Sequence, residues 1–108
     1  MRRFILLLAF AFRASGAEAA TIWHDRMEGG TELIVIEGDI QSGDEQRFRK
    51  LAGQYDKALV GLSSNGGALM PALEIGKAIH LQGFDTAVLA NNQCASACAL
   101  IWIAGEQV

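Results

Sequence analysis

The sequence predicts an α/β fold with a mainly parallel sheet. Three short apolar runs, residues 33–36, 58–62 and 86–90, are each bounded by turn-forming residues and each followed by a segment with helical spacing. Such runs are typical of strands that are covered on both faces. Strands that alternate with crossovers of ten or more residues form parallel sheets with right-handed connections. We therefore expect repeated strand–helix units.

The first crossover carries a helix-start pattern. Residues 42–45 (SGDE) fit a capping box, in which the Ser42 hydroxyl and the Glu45 side chain each bind an unpaired backbone N–H. The apolar residues behind it fall at i, i+3, i+4 and i+7, which predicts a helix of about three turns; they are Phe48, Leu51, Ala52 and Tyr55. Residues 21–30, ahead of the first run, predict an opening strand or a loop.

The second strand ends at residues 63–67 (SSNGG), a turn-forming segment. Helical spacing follows on one face, at Leu69, Ala72, Leu73, Gly76 and Ile79. Pro71 fits in the first turn of this helix, where its missing N–H costs nothing. Gly83 is placed as the C-terminal cap.

The third unit pairs a strand at residues 86–90 with a turn at 91–93 and a helix at 95–104. The helix is apolar nearly all round, which predicts that it is buried. Ser96 is its one hydroxyl.

The N-terminus matches a secretory signal peptide. Residues 1–3 (MRR) are basic, residues 4–12 (FILLLAFAF) are apolar, and residues 17–19 (AEA) give a small-residue cleavage site. The apolar run is far shorter than the roughly 20 residues of a membrane-spanning helix. We therefore expect residues 1–19 to be removed and the protein to be periplasmic or secreted.

Residues 20–108 can hold one modest core and at most one domain. Removing residues 1–19 takes away three of the 9 basic residues and one of the 12 acidic ones, which leaves a net charge of −5. Nucleic-acid binding relies on clustered Lys and Arg, so this balance argues against a nucleic-acid partner.

Two turns carry candidate chemistry. Gly66 and Gly67 open a helix, and the exposed N–H groups of such a turn can bind a developing oxyanion. Ser96 opens the next helix, where it is either a nucleophile or a helix cap.

Cys94 and Cys98 flank this serine; a disulfide and a pair of buried thiols are both compatible with their spacing. Two cysteines are too few for a zinc site, and no motif indicates a cofactor or another metal.

Residues 63–67 (SSNGG) and 92–105 (NQCASACALIWIAG) together resemble the proteolytic subunit of the Clp protease and its relatives, which include the signal-peptide peptidase A group and, more distantly, the crotonases. That superfamily has an S-P-G-G-like turn and, some thirty residues later, a G-Q-A-A-S-M-like turn. Asn65 stands here in place of the proline, and Asn92 in place of the glycine. The C-A-S-A-C variant is also similar to a set of predicted periplasmic members.

The resemblance implies a serine hydrolase, with a peptide or protein as its substrate. Ser96 would be the nucleophile, and the N–H groups of Gly67 and Ala97, in a turn shaped by Gly66, would form the oxyanion hole. Relatives assemble into rings or trimers, so a homo-oligomer is compatible with the resemblance.

The family's general base has no counterpart in the sequence. Clp-type members have a histidine about twenty-five residues after the serine, and the signal-peptide peptidases use a lysine. His24, Lys77 and His80 are expected to be surface residues far from Ser96. We therefore expect a truncated Clp/crotonase-like domain at residues 20–108, with its base beyond Val108. The alternative function is a non-catalytic exported binding or assembly module of the same fold.

Overall fold

The computed structural model describes residues 18–108. They form an α/β unit with a four-stranded sheet and three helices. The elements in chain order are β1 (Thr21–Arg26), β2 (Glu32–Glu37), α1 (Asp44–Ala52), β3 (Leu59–Ser63), α2 (Leu69–Gln82), β4 (Asp85–Val88) and α3 (Ala97–Trp102). The expected signal peptide lies almost wholly outside the described residues.

The sheet has the strand order β1-β2-β3-β4 and is mixed. β2, β3 and β4 are parallel, with Ile34 beside Val60 and Val60 beside Thr86. β1 is a strand rather than a loop, and it pairs antiparallel with β2, with Thr21 opposite Glu37. A short connection between neighbouring strands allows antiparallel pairing, whereas parallel pairing needs a longer crossover. The strand–helix alternation predicted for the three later strands is therefore present, and the carboxyl ends of β2, β3 and β4 lie at one edge.

The core lies between the sheet and the helices. Fully buried side chains of β2 and β3 meet side chains from α1 and α2; the largest are Ile34, Ile36, Val60, Leu62, Phe48, Ile75 and Ile79. α1 packs on β1 and α2, and α2 also packs on α3. Burying each of these apolar side chains stabilises the fold by about 1.5–3 kcal/mol, and this holds the layers together.

The predicted capping box at residues 42–45 is wrong in one half. The residue before α1 is Gly43, in a left-handed conformation (φ 100°), and no side chain caps the helix in the way predicted for Ser42. Glu45 Oε1 does accept the Gly43 N–H, at 2.7 Å. The buried Asp44 carboxylate also reaches back from the helix and accepts the Gln41 N–H at 2.7 Å.

The buried face of α2 is rotated relative to the prediction. Ala72, Gly76 and Ile79 are buried as expected, but Leu69 and Leu73 are 54% and 43% exposed. The prediction that Leu69 and Leu73 lie on the buried face is therefore wrong; it depended only on their apolar side chains.

The ends of α2 and α3 set the shape of the last unit. Gly83 ends α2 with φ 68°, as predicted for a C-terminal cap. α3 is shorter than the predicted helix at residues 95–104. It begins after Ser96 and ends at Trp102. α3 is also only partly covered, and Ile103 just after it is 62% exposed. Among residues 18–108, no helix has the length and hydropathy that a membrane crossing requires.

Candidate functional site

The two turns singled out by the sequence lie side by side at the carboxyl edge of the parallel strands. The turn after β3 is joined to the turn after β4 by a parallel bridge between Ser64 and Cys94. Ser64 N–H donates to the Gln93 carbonyl at 2.9 Å, and Ala95 N–H donates to the Ser64 carbonyl at 3.0 Å. These bonds extend strand pairing beyond β3 and β4, and so they fix the glycine turn against the serine turn.

Gly66 is the point at which the two turns touch. It has φ 114°, and a Cβ atom added to it would lie 2.8 Å from Ser96 Cβ and 3.0 Å from the Ala95 carbonyl oxygen. A side chain there would displace the serine. Glycine therefore serves two needs at this position: a positive φ and room for Ser96.

Gly67 fixes the start of α2. A Cβ atom on Gly67 (φ 138°) would fall 2.2 Å from the Ile40 carbonyl oxygen. Ile40 N–H donates to the Gly66 carbonyl at 2.8 Å, and the Ile40 carbonyl accepts the Ala68 N–H at 2.7 Å. The fully buried Ile40 thus anchors the glycine turn to the segment after β2.

Ser96 occupies a strained turn. Its φ of 56° and ψ of −124° match the first central position of a type II′ turn, which normally requires glycine. The hydrogen bond of that turn is present, from Cys98 N–H to the Ala95 carbonyl at 3.0 Å. The residue is exposed, and its side chain makes no capping bond to α3, so helix capping is not its role. Strained backbone at an exposed hydroxyl is a feature that clusters at active sites.

The predicted oxyanion donors differ from one another. Gly66 N–H is already bound, because it donates to Ser64 Oγ at 3.0 Å. Gly67 N–H and Ala97 N–H donate to no backbone carbonyl within residues 18–108. Within residues 18–108, the Gly67 and Ala97 amides are therefore without a backbone acceptor, whereas the Gly66 amide stabilises the turn itself.

Cys94 and Cys98 form a disulfide that spans the Ser96 turn. Their α-carbons are 5.1 Å apart. Cys94 precedes α3 and only Cys98 is helical, so the pair does not lie four residues apart on one helix. Because Ser96 is the central residue between them, the covalent link closes a small ring around the strained residue.

His24, which was not expected to serve as the base, lies in β1, where neighbouring side chains orient it. It is paired with Ile34 across the sheet and stacks on Tyr55 with ring centroids 4.7 Å apart. Its Nε2 is 2.5 Å from Glu32 Oε2. The hydrogen bonds from His24, and then from Arg26, lower the pKa of Glu32 from its ordinary value of 4.5.

Lys77 and His80, which were also expected to be surface residues and not the base, are exposed residues of α2. They line a groove together with Leu100 and Ile103. His80 lies in the last turn of α2, whereas the glycine turn that touches Ser96 is at its first turn. Within residues 18–108, no acidic or basic side chain forms a hydrogen bond with the Ser96 hydroxyl.

A polar cleft of about 550 Å³ at the same edge was missed by the sequence analysis. Its lining comes from the turns after β2, β3 and β4: Glu37, Gly38, Asp39, Ser63, Ser64, Asn65, Asn91, Asn92 and Gln93. Two side-chain bonds hold it in shape, from Ser63 Oγ to Asn92 Oδ1 at 2.8 Å and between Gln93 and Asn65. The sequence signal that could have indicated the cleft is the position of these turns after the predicted strands, because ligands of parallel sheets bind at the carboxyl ends of the strands.

No group of three or more His, Cys, Asp or Glu residues in the described part of the chain is arranged to hold a metal ion.

Comparison of the chain with protein-family models, with curated proteins and with solved structures gives no match. The candidate site therefore rests on its own geometry.

Proposed function

We propose that this protein is an exported, Clp-like serine hydrolase that cleaves a peptide or protein through Ser96. The observation that carries the proposal is the conformation of Ser96. An exposed serine is held at φ 56° in a turn that favours glycine, does not cap its helix, and lies against a glycine turn that has no room for a side chain. Glycine would adopt this conformation without strain, so the presence of a serine supports a role for its hydroxyl group.

The proposed reaction is acyl transfer. Ser96 Oγ attacks the carbonyl carbon of the scissile amide while a base takes the hydroxyl proton. The carbonyl oxygen becomes an oxyanion, which the Gly67 and Ala97 amides stabilise by hydrogen bonds. The C–N bond then breaks, the amine leaves with the proton, and water later hydrolyses the Ser96 ester to a carboxylic acid and the free serine.

The proposal requires a base from outside residues 18–108. The His24 ring is hydrogen-bonded to Glu32 and stacked on Tyr55. Lys77 and His80 lie in the second half of α2, away from the glycine turn at its start. A serine without a base is a weak nucleophile. Activity is therefore expected of the product of the complete gene, in its native oligomeric state, rather than of residues 18–108 alone.

The test is covalent labelling of the complete gene product with a fluorophosphonate probe. Wild type and the exposed-serine control Ser42→Ala should be labelled equally, and Ser96→Ala should not be labelled. Ser42 is a matched control because it is also exposed and lies in a turn, but this turn precedes α1. Equal labelling of Ser96→Ala and wild type would contradict the proposal.

A second candidate is a non-catalytic exported binding or assembly module. The polar cleft at the strand ends favours it, because every residue that lines the cleft except Gly38 carries a side-chain amide, hydroxyl or carboxylate group, and Ser96 is not among them. This candidate predicts no labelling of any variant by the probe. It also predicts that Asn92→Ala impairs ligand binding more than Ser96→Ala does.

A further inference from the structure

The buried carboxylate of Asp44 lies at the point where the chain enters the fold. Asp44 is the first residue of α1, and none of its surface is exposed. Its Oδ2 atom accepts the Gln41 N–H at 2.7 Å and the Ala20 N–H at 3.1 Å, while Oδ1 is paired with the Arg47 guanidinium. A fully buried carboxylate is costly unless positive or hydrogen-bonding groups surround it.

Ala20 is held from both of its backbone ends. Its N–H donates to Asp44, and its carbonyl accepts Arg47 Nη2 at 2.6 Å. Ala20 is only 3% exposed, whereas Glu18 and Ala19 are exposed. The boundary between solvent and core therefore falls at the Ala19–Ala20 peptide bond, which is also the bond that the small-residue pattern at residues 17–19 marks for cleavage.

We propose that processing cleaves the Ala19–Ala20 bond and that the new α-ammonium group of Ala20 forms a buried ion pair with Asp44. This inference depends on the export part of the proposed function and is independent of the Ser96 chemistry. A signal-peptidase-type endopeptidase and one water molecule break the C–N bond. Ala19 leaves as a carboxylate, and the amine of Ala20 takes up a proton.

The nitrogen that becomes the ammonium is the atom that already contacts Asp44 Oδ2. Cleavage therefore replaces a neutral N–H donor with a charged one at the same place. Charge-assisted hydrogen bonds are roughly twice as strong as neutral ones. Arg47 occupies the other carboxylate oxygen, so both cations can bind Asp44 together. Removal of the leader thus completes the folded state in addition to releasing the protein.

The first experiment reads the N-terminus. The full 108-residue chain is expressed with export in a bacterial host, and the recovered protein is analysed by intact mass and N-terminal sequencing. The expected first residue is Ala20. A protein that keeps Met1 contradicts both the export proposal and this inference, whereas cleavage at another bond contradicts this inference alone.

The second experiment tests the ion pair by a mutant cycle. One glycine inserted between Ala19 and Ala20 moves the ammonium one residue away from Asp44 and leaves an ordinary amide at Ala20. We expect the insertion to lower the melting temperature by about 4–8 °C in the wild-type background, and by less than half as much in Asp44→Asn. An equal loss in both backgrounds would overturn the ion pair.

A chemical measurement keeps the test valid if Asp44→Asn does not fold. Pyridinecarboxaldehyde reacts with free α-amines, and its rate reports whether the amine is accessible. The processed wild type should react about tenfold more slowly than the glycine-insertion protein, because a buried amine reacts only after local opening. Equal rates for the two folded proteins would contradict burial of the ammonium.

Discussion

Ser96 combines an exposed hydroxyl group with a strained backbone. Its φ and ψ fit the first central position of a type II′ turn, and a non-glycine residue there carries strain of about 1–3 kcal/mol. The sequence could indicate that this serine opens a helix, but not which of two roles it plays. Helix capping and nucleophilic exposure require the same residue type, and only the backbone conformation separates them.

The strain at Ser96 gives a stability prediction. Ser96→Gly should raise the free energy of unfolding by about 1 kcal/mol, because glycine adopts the positive φ without the Cβ penalty. Ser96→Ala keeps the Cβ atom and should leave the stability almost unchanged. Urea unfolding of the three proteins measures the difference. A Ser96→Gly protein less stable than wild type would show that the turn is not strained.

The elements were largely predictable because their apolar runs are short and bounded by turn residues. The strands at Leu59–Ser63 and Asp85–Val88 lie within two residues of the predicted ends of residues 58–62 and 86–90. The pairing direction of β1 was not predicted, because the pattern of residues 21–30 left a strand and a loop both open; with β1 ending at Arg26, the short connection to β2 favours antiparallel pairing. The buried face of α2 was misassigned because Leu73 is apolar but exposed.

The ring closed by Cys94 and Cys98 supports the element that begins with the serine turn. α3 has six residues, too few to be stable as an isolated helix. By loop-closure entropy, a link with a sequence separation of 4 contributes about 2 kcal/mol. The double variant Cys94→Ala/Cys98→Ala should lose that amount in urea unfolding. Reductant should destabilise wild type by a similar amount and leave the double variant unchanged; stability that is the same in all these samples would contradict the supporting role.

The β1–β2 pair is sensitive to acid through Glu32. His24 and Arg26 lower the pKa of this carboxyl in the folded protein, so its contribution to stability is fully present above the ordinary value of 4.5 and is lost as the pH falls through the lowered pKa. Melting temperatures measured from about pH 6 to about pH 3 should therefore fall more in wild type than in Glu32→Gln.

The control for this pH series is Glu28→Gln, which removes an exposed carboxylate in the turn between the same two strands. It should follow the wild-type profile. If Glu32→Gln follows that profile too, the ion pairs of Glu32 contribute nothing to the acid sensitivity. The effect is expected to be small, because exposed ion pairs are screened by solvent.

For the whole molecule, the core is continuous between the sheet and α2 but ends abruptly at α3. Ile101 is fully buried, whereas Ile103, two residues later, is 62% exposed beside the groove formed with Leu73 and Leu100. The sequence predicted a buried helix, because residues 95–104 are apolar nearly all round. It could not show which side faces the core, because every side of the helix is apolar.

The two isoleucines give a matched pair of substitutions. Ile101→Ala should cost about 2–5 kcal/mol, because it leaves a cavity in the core. Ile103→Ala should change the free energy of unfolding by less than about 0.5 kcal/mol, since its side chain is mainly in solvent. Urea unfolding of both variants makes the comparison, and equal losses would show that Ile103 is covered in the folded protein in solution.

The polar cleft also belongs to the scale of the whole molecule. Its residues come from three separate turns, and their convergence follows from the parallel order of β2, β3 and β4. Each turn was recognisable in the sequence, but the cleft was not, because its formation depends on strand order. The juxtaposition of Gly66 with Ser96 arises in the same way, from the bridge that joins the ends of β3 and β4.

The most direct test of the central claim is to map the residue that a fluorophosphonate modifies in the complete gene product, by peptide mass spectrometry. We predict one adduct, on the peptide that contains Ser96, and no adduct in Ser96→Ala. An adduct on a different serine, or no adduct in a folded wild-type protein whose Ser96 is exposed, would contradict the assignment of Ser96 as the nucleophile.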